Sequence, residues 1–178
     1  MDAGTVVDFW MLAGPVRWFT KDAAFDGALA VHFGDALKQA RLGAFDHWAE
    51  TLEGALGLVL LLDQVSRNTL RGSPLAFAGD AKALALAKTS VGRGYHQKLV
   101  PPLAMWLLMP FEHAEDLDAQ HRCVALFGTL GLYDMVYYAK MHLDIIVRFG
   151  RFPHRNAVLG RRSTAEEIAF LQAGGFAG

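Results

Sequence analysis

The balance between helix-forming and strand-forming residues is the feature that most constrains the fold of this chain. Of 178 residues, 27 are alanine and 25 are leucine, whereas valine, isoleucine and threonine contribute 12, 3 and 7. Alanine and leucine have favourable helix propensities, while β-branched residues are enriched in strands. The composition therefore predicts an all-α chain.

Periodicity and helix-boundary signals support this prediction along the sequence. Phe25, Leu29, Phe33 and Leu37 recur every four residues, which places them on one helical face. Further helices are predicted after Thr51 as an N-cap, from Ser73-Pro74 to Gly92, from Pro101 to just before Pro110, over about 115–130, over 132–149, and after a capping box at Ser163-Thr164-Ala165-Glu166. We expect about eight helices joined by short links in a single helical domain of residues 1–178.

The charges are nearly balanced, which argues against several classes of partner. The chain has 17 Lys and Arg against 18 Asp and Glu, a formal net charge of −1, and a mean hydropathy of +0.22. Such a chain has no global positive field that would draw it to nucleic acid or to an anionic membrane. The most apolar run, 54–62, is too short to span a bilayer. We expect a cytoplasmic protein that binds neither nucleic acid nor membranes.

The single cysteine and the absence of known motifs narrow the chemistry further. Cys123 lies in an apolar helical pattern, which predicts a buried, inert thiol in a reducing compartment. Phosphate-loop, dinucleotide-binding, nucleophile-elbow and HExxH patterns are missing. Asp118 and His121 have the spacing of two metal ligands on one helix, but a di-iron bundle requires two such motifs and two more carboxylates. We predict no metal site and no cofactor.

Three polar groups in apolar surroundings are the candidates for a functional site. The segment from Arg148 to Arg162 has five arginines and a histidine but no acid. The segment 111–118 has four acids and no arginine or lysine, and the segment 63–68 follows a very apolar stretch. Arginine is suited to bidentate binding of carboxylate or phosphate in partly buried sites. The candidate ligand-binding residues are Asp63, Gln64, Arg67, Asn68, Glu112, His113, His142, Arg148, Arg151, His154, Arg155 and Asn156.

Two interpretations of these groups are open. In the first, carboxylates such as Asp63 and Glu112 pair with the arginines and hold the helices in register, because buried ions require partners. In the second, the groups converge on a cleft and leave hydrogen-bond donors facing a ligand. Residues four apart share a helical face, so Asp63 is expected to meet Arg67, and Gln64 to meet Asn68.

Motifs at these residues resemble one known family. LLLDQVSRNTLRG, SPLAFAGD, LMPFEHAE and HLDIIVRFGRFPHRNAVLGRRSTAEEIAFL, with the N-terminal VDFW and RWFTKDAAFD, resemble the bacterial family catalogued as domain of unknown function 924, over about residues 7–171. The resemblance implies an all-helical fold of antiparallel helix pairs, tetratricopeptide-like, and no established activity. The chain departs from the family pattern at Val65-Ser66, where phenylalanine and proline are expected, and at Ala114, where serine is expected. A serine nucleophile at position 114 is therefore absent here.

Two function classes compete. The leading hypothesis is a binding module whose cleft takes a small anionic or carboxylate-bearing ligand or peptide. Its donors would be Arg148, Arg151, Arg155 and Asn156, oriented by Asp63, Gln64 and Glu112; the step from a helix-pair fold to binding is an analogy. The alternative is a hydrolase-type enzyme. Its general acid or base would be His113, His142 or His154, beside a carboxylate such as Glu112 or Asp144, with arginines stabilising developing negative charge.

Two further roles are less favoured. Nucleic-acid binding through the arginine segment requires an exposed basic stripe, whereas these arginines alternate with aromatic residues of the buried type. Trp10, Trp18, Phe19 and Phe25 crowd the N-terminal region, and we expect them in the core rather than in a self-association patch. The sequence does not predict the oligomeric state.

Overall fold

The path of the chain is organised around one helix that is buried on every side. In the computed structural model, which describes residues 1–176, every residue from 54 to 66 is buried. A helix that is apolar all round belongs in the interior of a protein. The apolar run 54–62 therefore forms the centre of the fold.

Every regular element of the described residues is helical, which confirms the predicted fold class. Eight of the α-helices in the described residues are at least eight residues long, which agrees with the prediction of about eight helices. The α-helices are α1 (Ala3–Trp18), α2 (Ala23–Arg41), α3 (Leu52–Val59), α4 (Ser66–Thr69), α5 (Asp80–Gly92), α6 (Tyr95–Lys98), α7 (Pro101–Glu112), α8 (Leu117–Thr129), α9 (Tyr133–Phe149) and α10 (Ala165–Gln172). A π-helical segment, Leu60–Val65, joins α3 to α4, and 3₁₀ turns cover Asp46–Glu50, Pro74–Phe77 and Pro153–Arg155.

The central helix is formed by α3, the π-helical segment and α4. It begins after Thr51, whose hydroxyl accepts a hydrogen bond from the Gly54 N–H at 3.1 Å, as predicted. The direction is kept through the π-helical segment because Leu60 and Val65 retain α-type φ angles of −57° and −58°. Helices α1, α2, α5 and α7 pack around it, and most of the buried apolar residues from α1 to Ala139 of α9 form one cluster. The π-helical segment, a feature often found at functional sites, carries Asp63.

Helix α7 corrects one predicted boundary. The predicted end before Pro110 is wrong, because α7 continues to Glu112. Proline removes one backbone hydrogen bond, but here it affects only the last turn, and the fully buried Phe111 extends the apolar contacts. The His113 N–H then donates to the Met109 carbonyl at 3.0 Å. The extension holds Glu112 and His113 at the end of a packed helix.

The C-terminal part adds a smaller cluster to the main core. Ile145 and Ile146 of α9 and Phe152 are buried together there. The predicted capping box is present one residue later than expected: Thr164 is the N-cap of α10, and its partner is Glu167 rather than Glu166. Both hydroxyl residues fit the pattern, and Glu167 reaches back to the Thr164 N–H at 2.7 Å.

The N-terminal aromatic residues are only partly in the core. Trp10 and Phe25 are buried, as expected. Trp18 is half-buried and donates from Nε1 to the Trp10 carbonyl at 2.7 Å. Phe19 corrects the expectation, because it is 58% exposed and stacks on Trp106 with 5.7 Å between ring centroids.

Two further expectations concern the thiol and the membrane. Cys123 of α8 is buried, and this burial raises the pKa of its thiol, so the side chain is an unreactive part of the core. Over residues 1–176, no helix combines the length and the apolar character needed to cross a membrane. The tetratricopeptide-like pairing of helices stays a prediction.

The approach of α1 to α3 provides a test of this packing. A Cβ atom at Gly57 would lie 2.9 Å from both the Cβ and the carbonyl oxygen of Ala3. We predict that Gly57→Ala lowers the free energy of unfolding by about 1–3 kcal/mol through overpacking. Gly27, on the exposed side of α2 with no atom within 4 Å of an added Cβ, is the matched control.

Chemical denaturation of the three proteins makes the measurement. Gly27→Ala should be neutral or stabilising by up to about 1 kcal/mol, because alanine has the better helix propensity. A Gly57→Ala variant as stable as the wild type would contradict the close contact of α1 with α3.

Candidate functional site

Asp63 is the buried carboxylate on which the polar groups of the site converge. Its side chain is 0% exposed. Nη1 of Arg67 lies 2.8 Å from Oδ1, Nδ1 of His113 lies 2.8 and 2.9 Å from Oδ1 and Oδ2, and Nε2 of Gln64 donates to Oδ2 at 2.6 Å. Burial alone would raise the pKa of Asp63, but Arg67 and His113 outweigh it and lower the pKa well below the ordinary value. Asp63 is therefore ionised inside the protein.

His113, the C-cap of α7, presents a neutral imidazole ring. An ionised carboxylate only accepts hydrogen bonds, so Nδ1 carries the proton that bonds to Asp63. Burial and the nearby Arg67 lower the pKa of His113, which leaves a lone pair on Nε2. Among the described residues, Nε2 has no hydrogen-bond partner. This is the arrangement in which a carboxylate orients a histidine to act as a general base.

Arg67 is held by two carboxylates. The contact with Asp63 across one helical turn, expected from the sequence, is present. Nη1 and Nη2 of Arg67 also donate to the two oxygens of Asp80, each at 2.9 Å. The guanidinium is therefore already engaged and braces α5 against the central helix.

Arg155, by contrast, makes no hydrogen bond to a carboxylate within the described residues. It is 6% exposed, and its guanidinium lies between the rings of Phe77 and Phe152, 4.8 and 4.4 Å from their centroids. Its Nη1 is 3.5 Å from Oδ2 of Asp80, but in residues 1–176 none of its side-chain nitrogens makes a hydrogen bond, and Nε is buried without a partner. Burial, followed by repulsion from Arg67, lowers the pKa of Arg155 to about 10, so the side chain is still cationic at neutral pH.

Arg155 faces a cavity that we call the arginine cavity, with a volume of about 400 Å³. Its lining residues are Lys21, Arg67, Arg71, Gly72, Ala76, Phe77, His113, His142, His154, Arg155 and Phe176. Burial lowers the pKa of both His142 and His154 to about 4, and Nδ1 of His154 is buried without a partner. The charge on the walls is therefore that of arginine and lysine.

A second cavity, the glutamate cavity, adjoins the first and has a volume of about 720 Å³. Its lining residues are Phe19, Glu112, His113, Asp134, Met135, Tyr137, Tyr138, His142 and Phe176. The two cavities share His113, His142 and Phe176. They are therefore adjacent, and we refer to the two together as the cleft.

Glu112 is the unpartnered acid of the glutamate cavity. It is 4% exposed, and its Oε2 has no hydrogen-bond partner in the part of the chain that the structure describes. Oε1 lies 3.7 Å from Nδ1 of His142, but this nitrogen carries its proton toward the carbonyl of Tyr138, 2.9 Å away. Burial, reinforced by the charge of Asp63, raises the pKa of Glu112 to about 8. The carboxyl group is therefore mostly protonated at neutral pH.

Similarity to known proteins gives the family of this chain. The model of the family described as "Bacterial protein of unknown function (DUF924)" matches residues 6–175. The chain belongs to the DUF924 family. The solved structure of a protein of unknown function from Agrobacterium tumefaciens is 44% identical in sequence, with 97% of each chain covered and a TM-score of 0.91. No curated protein matches.

Two predicted donors of this DUF924 protein form ion pairs away from the cleft. Nε of Arg148 donates to Glu166 at 2.8 Å, and the pair is half exposed. Arg151 donates from Nε and Nη2 to the two oxygens of Glu167 at 2.6 and 2.9 Å. These pairs fasten α10 to the end of α9, which is the register-holding role of the first interpretation.

The predicted amide residues also have internal partners. Asn156 is fully buried, donates to Ser163 Oγ at 3.1 Å and accepts from Arg161 Nε at 2.9 Å. Asn68 donates to Asp26 at 2.8 Å, so the expected contact between Asn68 and Gln64 is not formed. Asn156, Asn68 and Gln64 support the site without lining the cavities.

Sequence reasoning missed several residues of the cleft. The carboxylate bonded to a histidine is Asp63, whereas Glu112 and Asp144 were the proposed partners. Phe77 and Asp80 lie in the quoted motif SPLAFAGD, and that motif was the available signal for them. Phe176 has no sequence signal; it reaches the cleft because its ring packs 4.6 Å from the centroid of His142.

The cleft offers no metal cage in the described part of the chain. Over residues 1–176, no group of three or more His, Cys, Asp and Glu side chains is arranged to hold a metal ion. The groups of the cleft that have unused hydrogen-bonding atoms among the described residues include Arg155, His113 and Glu112.

The pH dependence of stability tests the protonated state of Glu112. Folding raises its pKa from 4.5 to about 8, so its contribution to stability is complete below pH 4.5 and is lost as the pH rises toward 8. Glu112→Gln keeps the shape without the charge. We predict that Glu112→Gln becomes more stable relative to the wild type as the pH rises from 5 to 8. The gain in unfolding free energy should be a few kcal/mol, at about 1.4 kcal/mol per pKa unit.

Chemical denaturation at several pH values measures this difference. Comparing the two proteins removes the opposite effect of His142 and His154, since both histidines are present in each. A difference that does not change with pH would contradict the raised pKa and would show that Glu112 is ionised throughout this pH range in the folded protein.

Proposed function

We propose that this DUF924 protein binds a small ligand carrying a carboxylate or phosphate group in the arginine cavity. The observation that carries the proposal is the buried guanidinium of Arg155, which makes no hydrogen bond within residues 1–176. Burying a charge without partners is costly. A ligand anion bonded to the free N–H groups would recover that cost.

The geometry of Arg155 supports an anion rather than a neutral ligand. A guanidinium presents its donors in a planar fork that matches carboxylate and phosphate oxygens. The rings of Phe77 and Phe152 already hold this fork in place, so binding requires little ordering of the side chain.

The neighbouring carboxylates support the same conclusion, because they are already occupied. Asp80 and Asp63 share Arg67. Glu115 accepts from Nη1 and Nη2 of Arg161 at 2.6 and 2.9 Å, and from the Phe152 N–H at 2.8 Å. The acids around Arg155 thus make their hydrogen bonds with other donors, and Oδ2 of Asp80 lies 3.5 Å from Nη1 of Arg155 without a hydrogen bond.

Isothermal titration calorimetry with inorganic phosphate, pyrophosphate and succinate tests the proposal. We expect at least one of these anions to bind the wild type and to bind Arg155→Gln at least tenfold more weakly, because the fork is lost. Arg155→Lys, which keeps the charge, should also be weakened. Arg148→Gln is the matched control, since Arg148 lies in a half-exposed ion pair outside the cavity, and its affinity should equal that of the wild type.

Equal affinity of wild type and Arg155→Gln would contradict the assignment, as would failure of every anion to bind. Thermal unfolding of each variant checks that it is folded.

A second candidate function, hydrolysis, is favoured by the Asp63–His113 pair. His113 borders the arginine cavity and keeps a lone pair on Nε2. In this reaction Nε2 would take a proton from water while the water oxygen attacks the carbonyl or phosphoryl centre of an ester held by Arg155. The bond to the leaving oxygen then breaks, and the proton passes from His113 to the alcohol product.

Initial rates with p-nitrophenyl acetate and p-nitrophenyl phosphate test this candidate. His113→Gln should lower the rate by about 10² to 10⁴, the usual contribution of a general base, and Arg148→Gln should leave it unchanged. Because the pKa of His113 is lowered, the rate should fall only at pH values below the ordinary imidazole range. Equal rates in wild type and His113→Gln would exclude the hydrolytic role for these esters.

A further inference from the structure

The glutamate cavity contains a side chain that the proposed function does not use. Glu112 is almost completely buried at the end of α7, and one of its carboxyl oxygens has no partner. A buried carboxyl group that the protein does not satisfy is expected to have a role for a ligand or a reaction. The residues around it indicate which kind of ligand group would fit.

The walls of the glutamate cavity are aromatic and acidic. Phe19, Tyr137, Tyr138 and Phe176 contribute rings, and Asp134 contributes a second carboxylate at the exposed rim. Within the described residues 1–176, no lysine or arginine lines this cavity. Aromatic faces combined with carboxylates form the usual environment for a ligand ammonium group.

The titratable groups that approach Glu112 do not bring a positive charge to it. Asp63 of the π-helical segment disfavours a further negative charge at Glu112, and Asp134 of α9 is a second acid in the lining of the cavity. His113 and His142 are neutral, because the pKa of each is lowered, and each gives its Nδ1 proton to another acceptor. Cys123 of α8 is a buried neutral thiol. A cation supplied from outside would be the first full positive charge in contact with this carboxyl.

We infer that the cleft takes a ligand with two charged groups, an anionic group at Arg155 and a primary amine at Glu112. The inference rests on the proposed function, because the anionic group is the one assigned to the arginine cavity. It adds the ligand class: amino acids, amino-alkyl phosphates and similar zwitterions. The two cavities share His113, His142 and Phe176 as lining residues, and one small molecule would extend past these side chains into both.

The chemistry of the two halves makes the orientation unambiguous. Arginines and Lys21 line the half around Arg155, and the half around Glu112 has only acids, aromatic rings and neutral side chains. The reversed ligand would place its amine against the cationic Arg155, which is repulsive. Its anion would lie in a cavity where Asp63 already disfavours negative charge and where the described lining has no lysine or arginine.

Calorimetry with matched pairs of compounds tests the inference on the full chain. The first series is amino-alkyl phosphates with spacers of two to four carbons, and the second is the corresponding ω-amino carboxylates. Each compound is compared with the same molecule without its amine. The two series distinguish a phosphate from a carboxylate as the anionic group.

We expect at least one amine to bind the wild type tenfold or more tightly than its amine-free partner. In Glu112→Gln this preference should fall below about twofold, while the affinity for the amine-free partner stays unchanged. Arg155→Gln should bind both members more weakly. In the wild type at pH 7, calorimetry in buffers of different ionisation enthalpy measures the protons released on binding. Binding of the amine should release nearly one proton more than binding of its amine-free partner, because the neutral Glu112 must lose its proton to pair with the ammonium group.

The outcomes separate this inference from the proposed function. If both members of every pair bind equally and depend on Arg155, the anion site exists and the amine site is refuted. If Glu112→Gln keeps the preference for the amine, the assignment to Glu112 is refuted. If no compound of either series binds, the inference falls together with the anion site.

Discussion

The ionised carboxylate of Asp63, buried in the centre of the molecule, is the interaction on which the rest of the site depends. It lies in the π-helical segment, directly after the apolar run 54–62 of the central helix, and it is shared by Arg67, His113 and Gln64. A buried charge of this kind persists only when its partners are complete, and removing one partner of a buried pair typically costs about 3–5 kcal/mol. Arg67 then fixes Asp80 on α5, and His113 fixes the end of α7. The positions of both walls of the cleft follow from this one group.

The arrangement of charges distinguishes structural ion pairs from groups kept free. Arg148, Arg151 and Arg161 each have a glutamate partner, and these pairs hold the C-terminal segments in place. Arg155 and Glu112 are different, because both are buried and neither has a hydrogen-bonded partner of opposite charge in residues 1–176. Protein interiors rarely leave such groups unsatisfied. Although the net charge is only −1, the cleft therefore contains a buried cation and a buried acid whose side chains make no hydrogen bond to an oppositely charged group within residues 1–176.

The sequence predicts the helices better than the partners of the polar residues. The alanine and leucine content decides the fold class, and local signals such as the Thr51 cap act within one turn. The start of α10 differs from the prediction by one residue because two neighbouring hydroxyl residues both suit an N-cap. Helix α7 continues past Pro110 because the burial of Phe111 outweighs the lost backbone hydrogen bond. The Asp63–Arg67 contact is predictable from the sequence because the two residues lie one helical turn apart.

Long-range pairing has no such local signal. The arginines from 148 to 162 look alike in the sequence, yet Arg151 meets Glu167 whereas Arg155 meets two aromatic rings. That choice depends on how α10 docks and on where the turn at Pro74–Phe77 places Phe77. Membership of the DUF924 family supplies the fold but no residue roles. The separation of structural from free arginines therefore becomes visible only in three dimensions.

The protonation state of the His113 ring tests the account most directly, because it reports on the Asp63 pair itself. Long-range ¹H–¹⁵N NMR spectra distinguish a protonated ring nitrogen from one that bears a lone pair. At pH 7 the account predicts a neutral His113 with the proton on Nδ1 and none on Nε2, and a loss of this fixed tautomer in Asp63→Asn. A His113 that is protonated on Nε2, or on both nitrogens, would contradict it.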